Sequence, residues 1–162
     1  MADIDGFTDL LDYPMYVVTT VADGERSGCL VGFASQCSLD PLRFAVWLSK
    51  ANHTYPLAER ASFLAVHLLG RHQGDLAALF GGETGDRIDK FAEVRWSPGP
   101  GDVPVLADAL AWFVGRIEQR TEWGDHVGFL LSPVESDAVT PASTGLPLRL
   151  SDVRDVTPGH PA

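Results

Sequence analysis

RSGCLVGFASQCSLDPLRFAVWLSKANHTYPLAER, residues Arg26 to Arg60, is the stretch that decides how the chain is read. It opens as a half-buried strand, turns tightly at Ser38-Leu39-Asp40-Pro41, and continues as an apolar strand over Phe44 to Leu48. Ser49, Lys50, Asn52, His53 and Thr54 then gather just ahead of a helix predicted over residues 54–61, with Tyr55, Leu57, Ala58 and Ala61 facing inward. A helix start leaves backbone N–H groups without partners and carries partial positive charge, so donors collected there suit a phosphate. The same residues also suit plain capping, with Thr54 as N-cap and Pro56 tolerated in the first turn.

The length of 162 residues fits one domain, large enough to bury roughly 70% of its unfolded surface. A formal charge of -10 with scattered basic residues argues against a nucleic-acid partner. No apolar run approaches the roughly 20 residues of a membrane helix, and the acidic start MADIDGFTDLLDYP is unlike a signal peptide, so a cytoplasmic protein is expected. Cys29 and Cys37 are too far apart for a redox pair and are expected to be buried thiols. His67 and His72 are separated by a Gly-Arg bend, and no metal site is expected.

Outward from the central stretch, YVVTTV at 16–21 reads as a strand, and Asp23-Gly24 as a hairpin turn. Residues 1–13 read as a short helix or frayed lead-in, and Ser35 to Pro41 as a bend or short strand. Phe63 to Leu69 is a strand apolar on both faces, and QGDLAALFGG a short helix stopped at Gly81-Gly82. The GGETG run follows a helix rather than a strand, so it takes no phosphate role. Asp86 to Glu93 should make one or two helical turns with Ile88 and Phe91 inward, WSPGPGD a loop, and Val103 to Leu106 a brief strand. Leu110 to Thr121 and His126 to Leu131 should pair as an antiparallel hairpin. The polar segment 135–162 is expected to be an extended arm or partly disordered tail behind a single domain over 1–134. Six or seven strands in hairpin succession, with two or three short inserted helices, predict a mainly β antiparallel barrel.

Several motifs in this order resemble the flavin reductase-like domain family. They are VVTT at 17–20, GCLVGFASQCSLDP at 28–41, LSKANHT at 48–54, FLAVHLL at 63–69, DKFAEVRWSPG at 89–99, PVLADALAWFVGRI at 104–117 and GDH at 124–126. The resemblance implies an FMN-binding Greek-key split β-barrel that acts as an NAD(P)H:flavin oxidoreductase, passing hydride from NADH or NADPH to FMN or FAD. It further implies a homodimer with the flavin at its interface, and a partner monooxygenase fed with reduced flavin. Carried over by position, Leu30, Val31, Gly32, Phe33, Gln36, Cys37 and Ser38 would line the flavin ring and ribityl chain. Ser49, Lys50, Asn52, His53 and Thr54 would hold the phosphate, Phe91 would lie near the flavin, and His126 near the nicotinamide. Leu30, Gly32 and Phe33 stand where the family commonly has small hydroxyl or polar residues, so flavin contacts there would fall to the backbone. A direct oxidoreductase of a small organic substrate, a non-catalytic flavin-binding module and a ligand-free interaction domain are the alternatives.

Overall fold

A computed structural model describes residues 1–82, 89–139 and 145–156. The strands are β1 (Tyr16–Ala22), β2 (Glu25–Val31), β3 (Ala34–Leu39), β4 (Leu42–Ser49), β5 (Phe63–Leu68), β6 (Trp96–Pro98), β7 (Pro104–Leu106), β8 (Ala111–Glu122) and β9 (His126–Ala138). Helices α1 (Asp5–Thr8), α2 (Thr54–Arg60) and α3 (Gly74–Gly82) are inserted among them. Seven strands form one sheet ordered β2-β1-β5-β8-β9-β4-β3, with every described pair antiparallel, and β6 pairs with β7 alongside it. This is the mainly β split barrel expected from the sequence.

The turn chemistry is as the sequence demands. Asp23 and Gly24 both take positive φ, 53° and 79°, the combination a two-residue hairpin loop requires and Asp-Gly tolerates best. The sheet does not stay flat. Cys29 and Val31, from one end of the strand order, share a core with Val46 and Leu48 of β4 near the other end, together with Val66 and Phe129. Bringing both ends onto one core curls the sheet, yet β2 and β3 do not pair, which leaves the barrel split.

The outer face is covered separately. Phe80 and Ala77 of α3, Phe91, Leu106 and Leu148 pack with Met15, Val17 and Leu69. Leu148 is fully buried because its segment is strapped between two others: Met15 N–H donates to Leu148 O, and Leu148 N–H donates to Leu69 O. Ser151 completes the strap by donating from both N–H and hydroxyl to the Asp12 carboxylate. Residues 145–156, with a 3₁₀ turn at Leu150–Asp152, are thus folded back on their own chain.

Four local expectations are corrected. Trp96–Pro98 is a strand, not loop, because its pairing with Pro104–Leu106 is short enough to end in proline on both sides. Cys37 is exposed rather than buried, since β3 ends the sheet and breaks register between Gln36 and Ser38. β9 continues past Leu131 to Ala138, with Pro133 accommodated next to the register shift at Val114/Gly115. Thr54 is the first helical residue rather than the N-cap. The turn expected at 86–93 is seen as a 3₁₀ turn over Lys90–Ala92 with Phe91 buried, while Ile88 and the later part of GGETG lie outside the described residues.

His67 holds the strands together from inside. It is fully buried, and its Nε2 accepts from Leu106 N–H at 3.0 Å, which obliges Nδ1–H to donate to Val17 O at 2.9 Å. Burial lowers its pKa from 6.5 to about 4. The unfolded chain thus binds a proton below pH 6.5 that the native state refuses until about pH 4. Stability is full above pH 6.5 and should fall toward pH 4, with a His67 share approaching about 1.4 kcal/mol per pH unit, measured as urea midpoints across that window. His67→Leu should flatten this dependence and cost about 3 kcal/mol at neutral pH, because it orphans a buried N–H and a buried C=O.

Candidate functional site

Because β2 ends the sheet, one of its backbone edges is left unpaired by other strands among the described residues. A groove of about 210 Å³ follows that edge. Leu30, Val31, Gly32 and Phe33 form one side, Met15, Trp47 and Leu48 the apolar floor and wall, and Ser49, Asn52 and His126 the polar end. Seven of the predicted site residues are thereby brought to one place.

Close packing shapes the groove. A Cβ on Gly128 would sit 2.7 Å from Trp47 Nε1, so only glycine lets the indole lie flat across β9. Phe33 is 51% exposed at the mouth, with its ring 5.1 Å from the His126 ring and 6.2 Å from Tyr13. His126 is oriented by Asp125, whose Oδ1 lies 2.7 Å from Nδ1. That hydrogen bond holds the Asp125 carboxyl below its usual pKa range.

The turn between β4 and α2 is tied to itself. Ala51 N–H donates to Ser49 Oγ at 3.2 Å, Thr54 N–H to Asn52 Oδ1 at 2.9 Å, and Lys50 N–H to Asp125 O at 2.9 Å. Asn52, not Thr54, thus satisfies the first turn of α2. Thr54 is fully buried instead, its hydroxyl 2.8 Å from Ser27 Oγ. Lys50 is drawn away toward Glu122, with which it forms an ion pair.

A second cavity of about 300 Å³ continues along β2 in the direction of its start. Ser27, Gly28, His53, Lys90 and Phe91 line it, with Glu25, Arg26 and Asp89 at its rim. Lys90 is 6% exposed, and its ammonium donates to Gly28 O and Phe80 O at 3.1 Å each. His53 Nε2 stands 3.4 Å from Glu25. Two cationic side chains, Arg26 and Lys90, thus share this cavity with the carboxylates of Glu25 and Asp89.

Gln36, Cys37 and Ser38 are not part of either cavity. They lie on β3, at the opposite end of the sheet order, where Gln36 Nε2 donates to Ser38 O and Ser38 Oγ to Pro41 O. Ser27 and Lys90 were not singled out from the sequence. Lys90 had a visible signal, an ammonium directly before a predicted inward Phe91, whereas Ser27 reads as an ordinary strand residue. Cys29, within the groove, is a buried thiol whose pKa burial pushes up to about 11. No cluster of three metal-ligating side chains occurs among the described residues.

Residues 8–149 match the family described as flavin reductase like domain. The chain belongs to that family. A relative from an Enterobacter species, named FMN reductase (NADH) RutF, is 32% identical over 130 residues, covering 80% of this chain and 78% of its own length. The Stachydrine N-demethylase reductase subunit of Rhizobium meliloti is 32% identical over 114 residues, 68% of this chain but 48% of its own. This chain likewise spans only 36% of a Rhizobium meliloti protein named Probable flavin reductase. The crystal structure of a flavin reductase domain protein from Arthrobacter superposes with a TM-score of 0.79 at 21% identity, covering 97% of this chain and 94% of that one, and shows the shared fold.

In this member of the family, Ser27 and Thr54 fasten α2 to the inner face of β2 beside the groove. Ser27→Ala should leave the buried Thr54 hydroxyl without that partner and lower unfolding free energy by about 1–2 kcal/mol in urea titrations.

Proposed function

We propose that the protein is an NADH-oxidising flavin reductase that takes FMN in the groove along β2. The observation that carries this reading is that an apolar slot and a second cavity bearing Lys90 and Arg26 are lined by consecutive residues, Cys29 after Gly28 on β2 and Asn52 before His53 in the β4–α2 turn. A flavin nucleotide has the matching division into a flat, largely apolar ring and a dianionic phosphate. The donor set fits the group. Leu30 to Phe33 would carry the ring against Met15 and Trp47, with the β2 edge offering backbone donors and acceptors in place of side-chain hydroxyls. Ser49, Asn52 and His53 would face the phosphate end, and the buried Lys90 ammonium would add positive potential there. Lys50 and Thr54 support this arrangement from outside it, Lys50 through the Asp125 backbone and Thr54 through Ser27. Gln36, Cys37 and Ser38 line neither cavity and take no part in this reading.

A bound flavin supplies the ring that accepts hydride from the nicotinamide. The protein's part is orientation and exclusion of water. Met15, Trp47 and Leu48 give the slot a dry floor, while Phe33 and His126 stand at its mouth, where a nicotinamide ring would stack. Asp125 keeps the His126 ring in one orientation, so His126 acts as a positioning wall rather than a proton donor of necessity.

A groove of about 210 Å³ is small beside the roughly 300–1,000 Å³ usual for ligand pockets. Phe33 in the groove and Trp123 beside Trp47, 51% and 76% exposed, suit burial by a second subunit, and a homodimer completing the site belongs to this reading. A cytoplasmic setting belongs to this reading as well, and a monooxygenase drawing on the reduced flavin is supported by the N-demethylase reductase subunit among the relatives.

Purified protein should bind FMN and bleach its visible absorbance anaerobically when NADH is added; a folded sample that does neither overturns the reading. Asn52→Asp separates the two roles of the turn. Aspartate caps as well as asparagine, so the urea midpoint should hold within about 0.5 kcal/mol, while the added negative charge should weaken FMN affinity about tenfold in fluorescence titrations.

A further inference from the structure

Beyond the cation-bearing cavity the same surface opens into another, about 480 Å³ in volume, at the β1–β2 turn. The two share Gly24 and Arg26 in their linings, so they adjoin at the β1–β2 turn. On the far side lie Trp96, Pro98, Gly101 and Asp102. Arg26 lies over the Trp96 ring, its guanidinium carbon 4.6 Å from the ring centroid. That stacking fixes the plane of a cation whose side chain has no ion pair among the described residues. Trp96 is in turn held by its Nε1–H, which donates to Phe91 O at 3.2 Å, and by its ring contact with Phe91. The platform is therefore anchored to the residue that lines the phosphate-end cavity.

A planar cation stacked on an indole offers one face to a further aromatic ring and its N–H edges to an anion. Carboxylates stand close by: Asp102, and Asp23, which Arg60 Nε approaches at 3.0 Å. Carboxylates accept from sugar hydroxyls, the role they take beside ribose in dinucleotide sites. Aromatic platform, phosphate-seeking cation and hydroxyl acceptors together describe a nucleoside monophosphate.

We propose that the cavity bounded by Asp23, Gly24, Arg26, Trp96 and Asp102 is an adenylate subsite. The proposal rests on the flavin reductase reading, because it places the subsite at the end of the line that runs from the ring groove through the cation-bearing cavity. Two partners of such an enzyme carry adenylate, FAD and NADH, and either could present it here. With FAD the adenylate would extend from the flavin's own phosphate along β2. With NADH it would anchor the donor while the nicotinamide reaches the groove.

The test uses the full chain, wild type and Arg26→Gln, with circular dichroism showing both folded. Adenosine 5′-monophosphate alone should bind the wild type in calorimetric titration and bind Arg26→Gln at least tenfold more weakly. If the subsite serves FAD, wild type should hold FAD at least tenfold tighter than FMN, and in the variant FAD affinity should fall at least tenfold further than FMN affinity. If it serves NADH, the variant's KM for NADH should rise about tenfold, with the ratio of FAD to FMN affinity unchanged. Trp96→Phe, which keeps a ring under the guanidinium, should fall between the two in every measurement. Adenylate binding that is absent, or equal in wild type and variant, overturns the proposal while leaving FMN binding and NADH oxidation intact. Loss of FMN binding in the wild type would instead remove the flavin reading on which the subsite depends.

Discussion

The unpaired edge of β2 is the constraint on which the rest depends. A strand with an open edge invites pairing with other chains, and proteins rarely leave one long and bare without cover or use. Here the curl of the sheet decides how it is covered. Cys29 and Val31 are drawn into the core shared with Val46, Leu48 and Phe129, so the edge is turned toward the β4–α2 turn rather than outward to solvent. Between the two lies the groove, and the Ser27–Thr54 hydroxyl pair ties α2 to β2 just before the residues of β2 that line it. Phe80 presses on the opposite face of the same strand, close enough that a Cβ on Gly28 would meet its ring at 2.8 Å. β2 is thus pinned from both faces while its edge stays open.

Much of this was legible in the residues. The Asp23-Gly24 turn, the apolar strand over Phe44 to Leu48 and the donor-rich approach to α2 each have a local cause, and local causes survive tertiary context. What escaped was set by distant partners. Trp96 reads as loop because Pro98, Gly99 and Pro100 follow it, and only pairing with Leu106 makes it a strand. Pro133 likewise suggests an end to β9, yet the bulge opposite Gly115 lets the strand continue. Cys37 shows the limit of composition, because a residue type usually buried was placed on an end strand with nothing packed over it.

The candidate site was legible to a different degree. The order of motifs located Leu30 to Phe33, Ser49, Asn52 and His126, which the fold does gather into one groove. It did not separate donors that face the groove from those that build it. Lys50 and Thr54 have the same chemistry on paper as their neighbours, but one is turned to Glu122 and the other is buried against Ser27. Spacing in a turn states which residues are near; only the turn's own hydrogen bonds state which way each one points.

Electrostatics explains why so acidic a chain can still suit a phosphate. A net charge of -10 sets a repulsive far field, which would slow the approach of an anionic nucleotide at low ionic strength. Within a Debye length, about 8–10 Å at ordinary salt, the local charges dominate instead. There the chain places Lys90 and Arg26 in one cavity beside Glu25 and Asp89, with Lys90 buried to 6% exposure and held by two carbonyls. Burial makes that charge act through protein rather than water, so its field on a neighbouring anion is stronger than that of any exposed lysine. The far field of the chain therefore bears on how fast an anion arrives, and the near field of β2 and its neighbours on whether it stays.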